Sequence, residues 1–225
     1  MPRDTLNRQM LNIKDEVLLL GSMVEQAMLK AVEALKERDQ VEARLIYNND
    51  RFINEKRFAI ENAIIIVMAT QQPMAHDLRL LAAILEVLTE LERMGDYAKG
   101  IAKVVIRLGE AEFPTPIRDL SHMADLSVSM LHRALTAFVD ENPNQAVAIP
   151  VEDNQVDDLY NKVYRELINI MIADPATIDH ANLLIWVAHN IERMADRVTN
   201  ICERTVFIAT GELLELDSSD EDDTD

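Results

Sequence analysis

The chain has 225 residues, 48% hydrophobic and only 4% aromatic, with five glycines, seven prolines and a formal net charge of −18. So acidic a chain argues against phosphate-backbone recognition, which rests on Lys and Arg displacing counterions, and hence against a nucleic-acid partner. Its longest uninterrupted apolar run, Ala63 to Ala69, falls far short of the roughly 20 residues that span a bilayer, so no transmembrane segment is expected.

Abundant Leu, Ile, Val, Ala, Glu and Met with so few breakers predicts an all-α fold. Residues Met1 to Arg8 lack the apolar core of a secretion signal, and the single Cys202 cannot build a disulfide framework. Both point to a cytoplasmic protein. Cys202 follows Ile201 on a helical pattern with no base arranged beside it, and reads as a packing residue.

Breakers at Pro73, Gly109 to Pro116, Pro143 and Asp174–Pro175 cut the chain into six long helices. These are predicted over about 4–38, 40–70, 76–108, 116–140, 144–173 and 177–210. The third carries Leu80, Ile84, Val87, Leu91, Met94, Ala98, Ile101, Val105 and Leu108 at steps of four and three, a heptad seam. One hundred residues on, the sixth carries His180, Leu184, Val187, Ile191, Met194, Val198, Ile201, Thr205 and Ile208. A fainter echo at an offset of 103 sets Asp50 to Asn54 against Asp153 to Asp157.

Three antiparallel helices with one buried stripe each make a minimal bundle. The expectation is therefore two tandem, pseudo-symmetric three-helix bundles, residues 1–109 and 117–211, joined by a linker at 110–116. A tail at 212–225 carries eight acids and no Lys or Arg, and from Leu213 onward it is expected to be disordered and to serve solubility. Apolar seams on several helices leave room for a homodimer.

Within the seams, Glu92 and Asp96 recur as Glu192 and Asp196. At this acid content on the order of seven i, i+4 acid pairs arise by chance, so the recurrence gives the motif its weight. Spacing four puts both carboxylates of each pair on one helix face, about 6 Å apart. Counting Leu91 as heptad position a, Glu92 falls at b and Asp96 at f, so the pairs face away from the seam. The plainest account is a solvated face on which Arg93 and Arg193 relieve the repulsion.

Asp50 with Asn54, and Asp153 with Asp157, supply a second oxygen-rich pair in each half. Clustered carboxylates suit divalent or ferric ions, which makes a surface metal site the functional reading. An enclosed di-iron oxidase needs Glu-x-x-His motifs, and none of His76, His122, His132, His180 or His189 has Glu three residues earlier. His180 and His189 border the second motif but have Leu80 and Thr89 as counterparts, and read as packed or solvated. No phosphate loop, zinc Cys/His spacing or nucleophile elbow occurs, so an enzyme is not expected.

The segments Leu91 to Ala98 and Ile191 to Ile201, with Asp77–Leu78–Arg79 and Gly211–Glu212, resemble the PhoU family over nearly the whole chain. The resemblance implies iron- or zinc-type clusters at Glu92, Asp96, Glu192 and Asp196, with Asp50, Asn54, Asp153 and Asp157 as partners. Against the family pattern, Asn54 stands for an acid, Lys99–Gly100 for a Val-Asn type pair, and Ala195 and Arg197 for Gly and His. The first cluster is thus expected to be weaker or of lower nuclearity. The resemblance further implies a negative regulator of the phosphate-starvation response. Such a regulator couples the ATPase subunit of a phosphate ABC transporter to a sensor histidine kinase, at the inner membrane through those partners. The alternative on the same fold is a metal storage or detoxification protein.

Overall fold

The computed structural model describes residues 2–109 and 116–216. Helices α1 (Pro2–Glu37), α2 (Gln40–Gln71) and α3 (His76–Leu108) make the first bundle. The second comprises α4 (Ile117–Val139), α5 (Pro143–Ala148), α6 (Asp153–Ala173) and α7 (Ile178–Thr210). No strand occurs among the described residues. Most of the linker, 110–115, and the tail beyond Leu216 lie outside them.

The duplication reaches into the turns. Arg38 and Glu141, 103 residues apart, both take left-handed backbone, with φ of 57° and 53°. Each is followed by a side-chain cap. Asp39 accepts from the Val41 and Glu42 amides at 2.9 Å and starts α2, while Asn142 accepts from the Gln145 amide at 3.2 Å and starts α5. Such caps satisfy amides that the first helical turn leaves unpaired.

One expectation needs correction. The fifth segment, predicted as a single helix over 144–173, is broken into α5, a 3₁₀ turn at Pro150–Glu152, and α6. Pro150 has no amide hydrogen to bond the preceding turn, and its ring would clash with that turn's carbonyl. Its counterpart in the first half is Tyr47, inside an unbroken α2. The tail also differs at its start: Leu216 packs against the core, and its amide donates to Glu203 Oε1 at 3.0 Å.

Both seams are buried as their period requires. From Leu80 to Val105 and from Leu184 to Ile208 every seam residue is buried, with Leu108 and His180 half-buried at the ends. The two bundles share one continuous hydrophobic core, because α3 packs along α7 and α1 along α4. Tyr97 and Arg197, equivalent by the 100-residue offset, meet across this junction, Arg197 Nε donating to Tyr97 Oη at 2.7 Å. Arg197 also pairs with Glu90 at 2.7 Å, and Arg204 with Glu86 at 2.6 Å. Cys202 is buried within this core, and burial pushes its thiol up to about 12.

Gly21 sets the approach of α1 to α4, since a Cβ there would lie 2.1 Å from Leu135 Cδ1. Gly21→Ala gains about 1 kcal/mol of helix propensity and incurs an overpacking cost of roughly 1–3 kcal/mol. A net loss of about 1 kcal/mol is expected in urea unfolding. Leu135→Ala alone should cost about 2–5 kcal/mol. The double variant should be less destabilised than the sum by about 1 kcal/mol or more; strict additivity would show that the two side chains do not compete for this space.

Candidate metal centre

In the second half, α6 contributes Asp153 and Asp157, and α7 contributes Glu192 and Asp196 to the same face. An oxygen from each of Asp153, Asp157 and Asp196 lies within 4.8 Å of the other two. A cleft of about 410 Å³ opens over them, flanked by Asn154, Glu192, Arg193, Arg197 and Asn200. Asp196 is exposed, whereas Asp153, Asp157 and Glu192 are half-buried. Burial, with Asp196 and Asp157 nearby, pushes the Glu192 carboxyl up to about 7. His189 Nδ1 lies 3.1 Å from Glu192 Oε2 without the geometry of a hydrogen bond.

All four predicted residues of this half are therefore brought together. Every donor is oxygen, the closest three within reach of a single ion, and like-charge crowding is the repulsion that a cation offsets. This set fits a hard or borderline ion. Arg197 borders the cleft, but its guanidinium is directed to Glu90 and Tyr97 in the other half.

The first half gathers the same positions with a different charge. A Cβ at Gly95 would meet Ile53 at 3.2 Å, so α2 lies close against α3 beside the motif. Asp50 is consequently buried rather than facing solvent, while Glu92 is half-buried and Asp96 exposed. Lys99 Nζ lies 2.7 Å from Asp50 Oδ2 and 3.9 Å from Asp96 Oδ1. Its hydrogen bond to Asp50 raises the Lys99 pKa. Asn54 Nδ2 donates to Asp50 Oδ2 at 3.1 Å. Arg57 bonds Glu61 at 2.9 Å and reaches within 3.8 Å of Glu92 Oε1. Burial first, then Asp50, raises the Asp96 pKa against the pull of Lys99 and Arg93.

Lys99 and Arg57 were not singled out as parts of a site by sequence reasoning. The available signal was spacing: Lys99 stands three residues after Asp96, and Arg57 three after Asn54, each on its motif's face. Arg193, expected to relieve Asp196, has its guanidinium 5.6 Å from the centre of the Tyr97 ring.

Fold and site together define a duplicated three-helix-bundle protein with ion-paired acids where α2 meets α3 and a carboxylate cluster where α6 meets α7. The PhoU domain matches residues 17–105 and, a second time, 120–205. The phosphate-specific transport system accessory protein PhoU homolog of Clostridium acetobutylicum is 33% identical over 96% of this chain and 99% of its own. The PhoU protein of that name from Escherichia coli is 32% identical over 92% of this chain and 86% of its own. The crystal structure of the phosphate transport system regulatory protein PhoU from Streptococcus pneumoniae superposes with a TM-score of 0.86. It is 34% identical and covers 93% of this chain and 99% of that one. PhoU from Pseudomonas aeruginosa gives 0.85 at 30% identity, covering 92% and 99%. This chain belongs to the PhoU family.

Burial of Glu192, with Asp196 and Asp157 beside it, imposes a pH dependence on the metal-free protein. Because Glu192 holds its proton to about 7 when folded, against an ordinary value of 4.5, the folded state binds more protons between these values. Its contribution to stability is present below the lower value and is lost as pH rises through about 7. In chelator, Glu192→Gln should raise Tm at pH 8 and leave it unchanged near pH 4. An equal or lower Tm at pH 8 would show that burial and the neighbouring carboxylates do not hold the proton on Glu192.

Proposed function

We propose that this chain is an accessory regulator of phosphate transport that represses the phosphate-starvation response when phosphate is plentiful. It does so as an adaptor between the ATPase subunit of a phosphate ABC transporter and a sensor histidine kinase. The observation that carries this reading is the nearly end-to-end similarity to proteins named phosphate-specific transport system accessory proteins, at 32–36% identity. No helix among the described residues is long and apolar enough to cross a membrane, which suits an adaptor that reaches the membrane through its partners.

The reading includes a metal. Asp153, Asp157, Glu192 and Asp196 would hold a divalent or ferric ion, iron or zinc, whose charge offsets theirs and fixes α6 to α7. The three oxygens within 4.8 Å support this.

Deletion of the gene should switch on a phosphate-starvation reporter in phosphate-rich medium, and the wild-type gene should silence it again. A reporter that stays repressed in the deletion strain would sink the regulatory reading, and lost metal tolerance in the same strain would point to storage instead. Purified without chelator, the wild-type protein should carry iron or zinc by elemental analysis, and Asp157→Asn with Asp196→Asn should lose most of it.

A further inference from the structure

The two halves gather equivalent residues and solve the same electrostatic problem differently. In the first, Asp50 and Asp96 face the ammonium of Lys99, and Glu92 on the same helix face approaches Arg57. The ammonium is 2.7 Å from Asp50 and 3.9 Å from Asp96, with the face of Tyr47 5.6 Å away. The guanidinium of Arg57 approaches Glu92 at 3.8 Å. Asn54 supplies an amide where the second half has Asp157, and that amide donates to Asp50.

The corresponding positions in the second half reverse each of these features. Thr199 stands for Lys99 and Tyr160 for Arg57, neither of them charged at neutral pH. Asp157 stands for Asn54, so four carboxylates line the second half's cleft, flanked by Arg193 and Arg197, where the first half has three. Asp50, moreover, is only 5% exposed, so its charge needs a close partner within the protein, and Lys99 is that partner.

We propose that the Lys99 ammonium, seconded by Arg57, is a tethered cation occupying in the first half the place a metal ion takes in the second. The chain then loads metal on its second half alone. This rests on the metal reading of Asp153, Asp157, Glu192 and Asp196. An ion entering the first half would have to displace Lys99 from Asp50, breaking a charge-assisted hydrogen bond to a buried carboxylate, and would then sit beside an ammonium. Lys99 thus closes by charge a site whose three carboxylates, unlike those of the second half, are not drawn within reach of one ion.

The test titrates Zn²⁺ into chelator-treated full-length protein and counts bound metal after desalting. Asp157→Asn with Asp196→Asn silences the second half, and this chain should retain no metal. Adding Lys99→Thr and Asn54→Asp, the residues of the second half, should open the first half and tighten zinc binding by about tenfold or more. Metal retained by the silenced chain overturns the proposal, as does a remade chain that binds no better than the silenced one. Asp50→Asn in the otherwise wild-type protein keeps Lys99 and the fold's polar contacts, and should leave metal content unchanged. A clear fall there also overturns it. A wild-type chain that binds no zinc while the remade first half does would sink the second-half reading and leave the Lys99 assignment standing.

Discussion

The seam between α3 and α7 is the constraint from which the rest of the structure follows. Each of these helices spends one stripe on its own bundle's core and another on its partner helix, so both bundles share one apolar interior. The acidic motifs are left the outer stripe. Glu92 and Asp96, and likewise Glu192 and Asp196, therefore project toward the neighbouring α2 or α6 instead of inward. The acidic clusters follow from where the apolar residues already are.

Placing like charges side by side then demands compensation, and the two halves obtain it from different sources. Lys99 and Arg57 do so in the first half, from within one turn of each motif. In the second, Arg197 could serve, but it reaches across the junction to Glu90 and Tyr97. Its hydrogen bonds make it a strut between the bundles. The pair made by Tyr97 and Arg197 shows how divergence after duplication turned equivalent positions into complementary ones, something two identical halves could not do.

Much of the fold was legible because its determinants are periodic. A strict four-three alternation of Leu, Ile, Val and Met fixes a buried stripe whatever the tertiary context, and its recurrence with Glu92 and Glu192 in phase marks the duplication. The break at Pro150 escaped because helical patterning continues through it from Asn144 to Ala173, and a pattern summed over many residues outweighed one local rule that should have prevailed. The gathering of Asp153 and Asp157 with Glu192 and Asp196 was legible from two spacings. The closing of the first cluster was not, since helical spacing says which residues share a face and is silent on which side chain crosses to the next helix. Asp50 is buried by the register of α2 on α3, set in part by the absence of a side chain at Gly95.

Pro150 has a further effect on the second cluster. By ending α5, it makes Asp153 the first residue of a new helix, whereas Asp50 lies within a helix of 32 residues. Peptide dipoles add along a helix to leave roughly half a positive charge at its amino end, where a carboxylate is favoured by about 0.3–1 kcal/mol. Asp153 thus sits in a backbone field that opposes the repulsion of its neighbours, while Asp50, mid-helix, has no such support and depends on a side chain. One proline distributes the electrostatic burden differently between two otherwise matching halves, lending the second a share of positive potential that comes from the main chain alone.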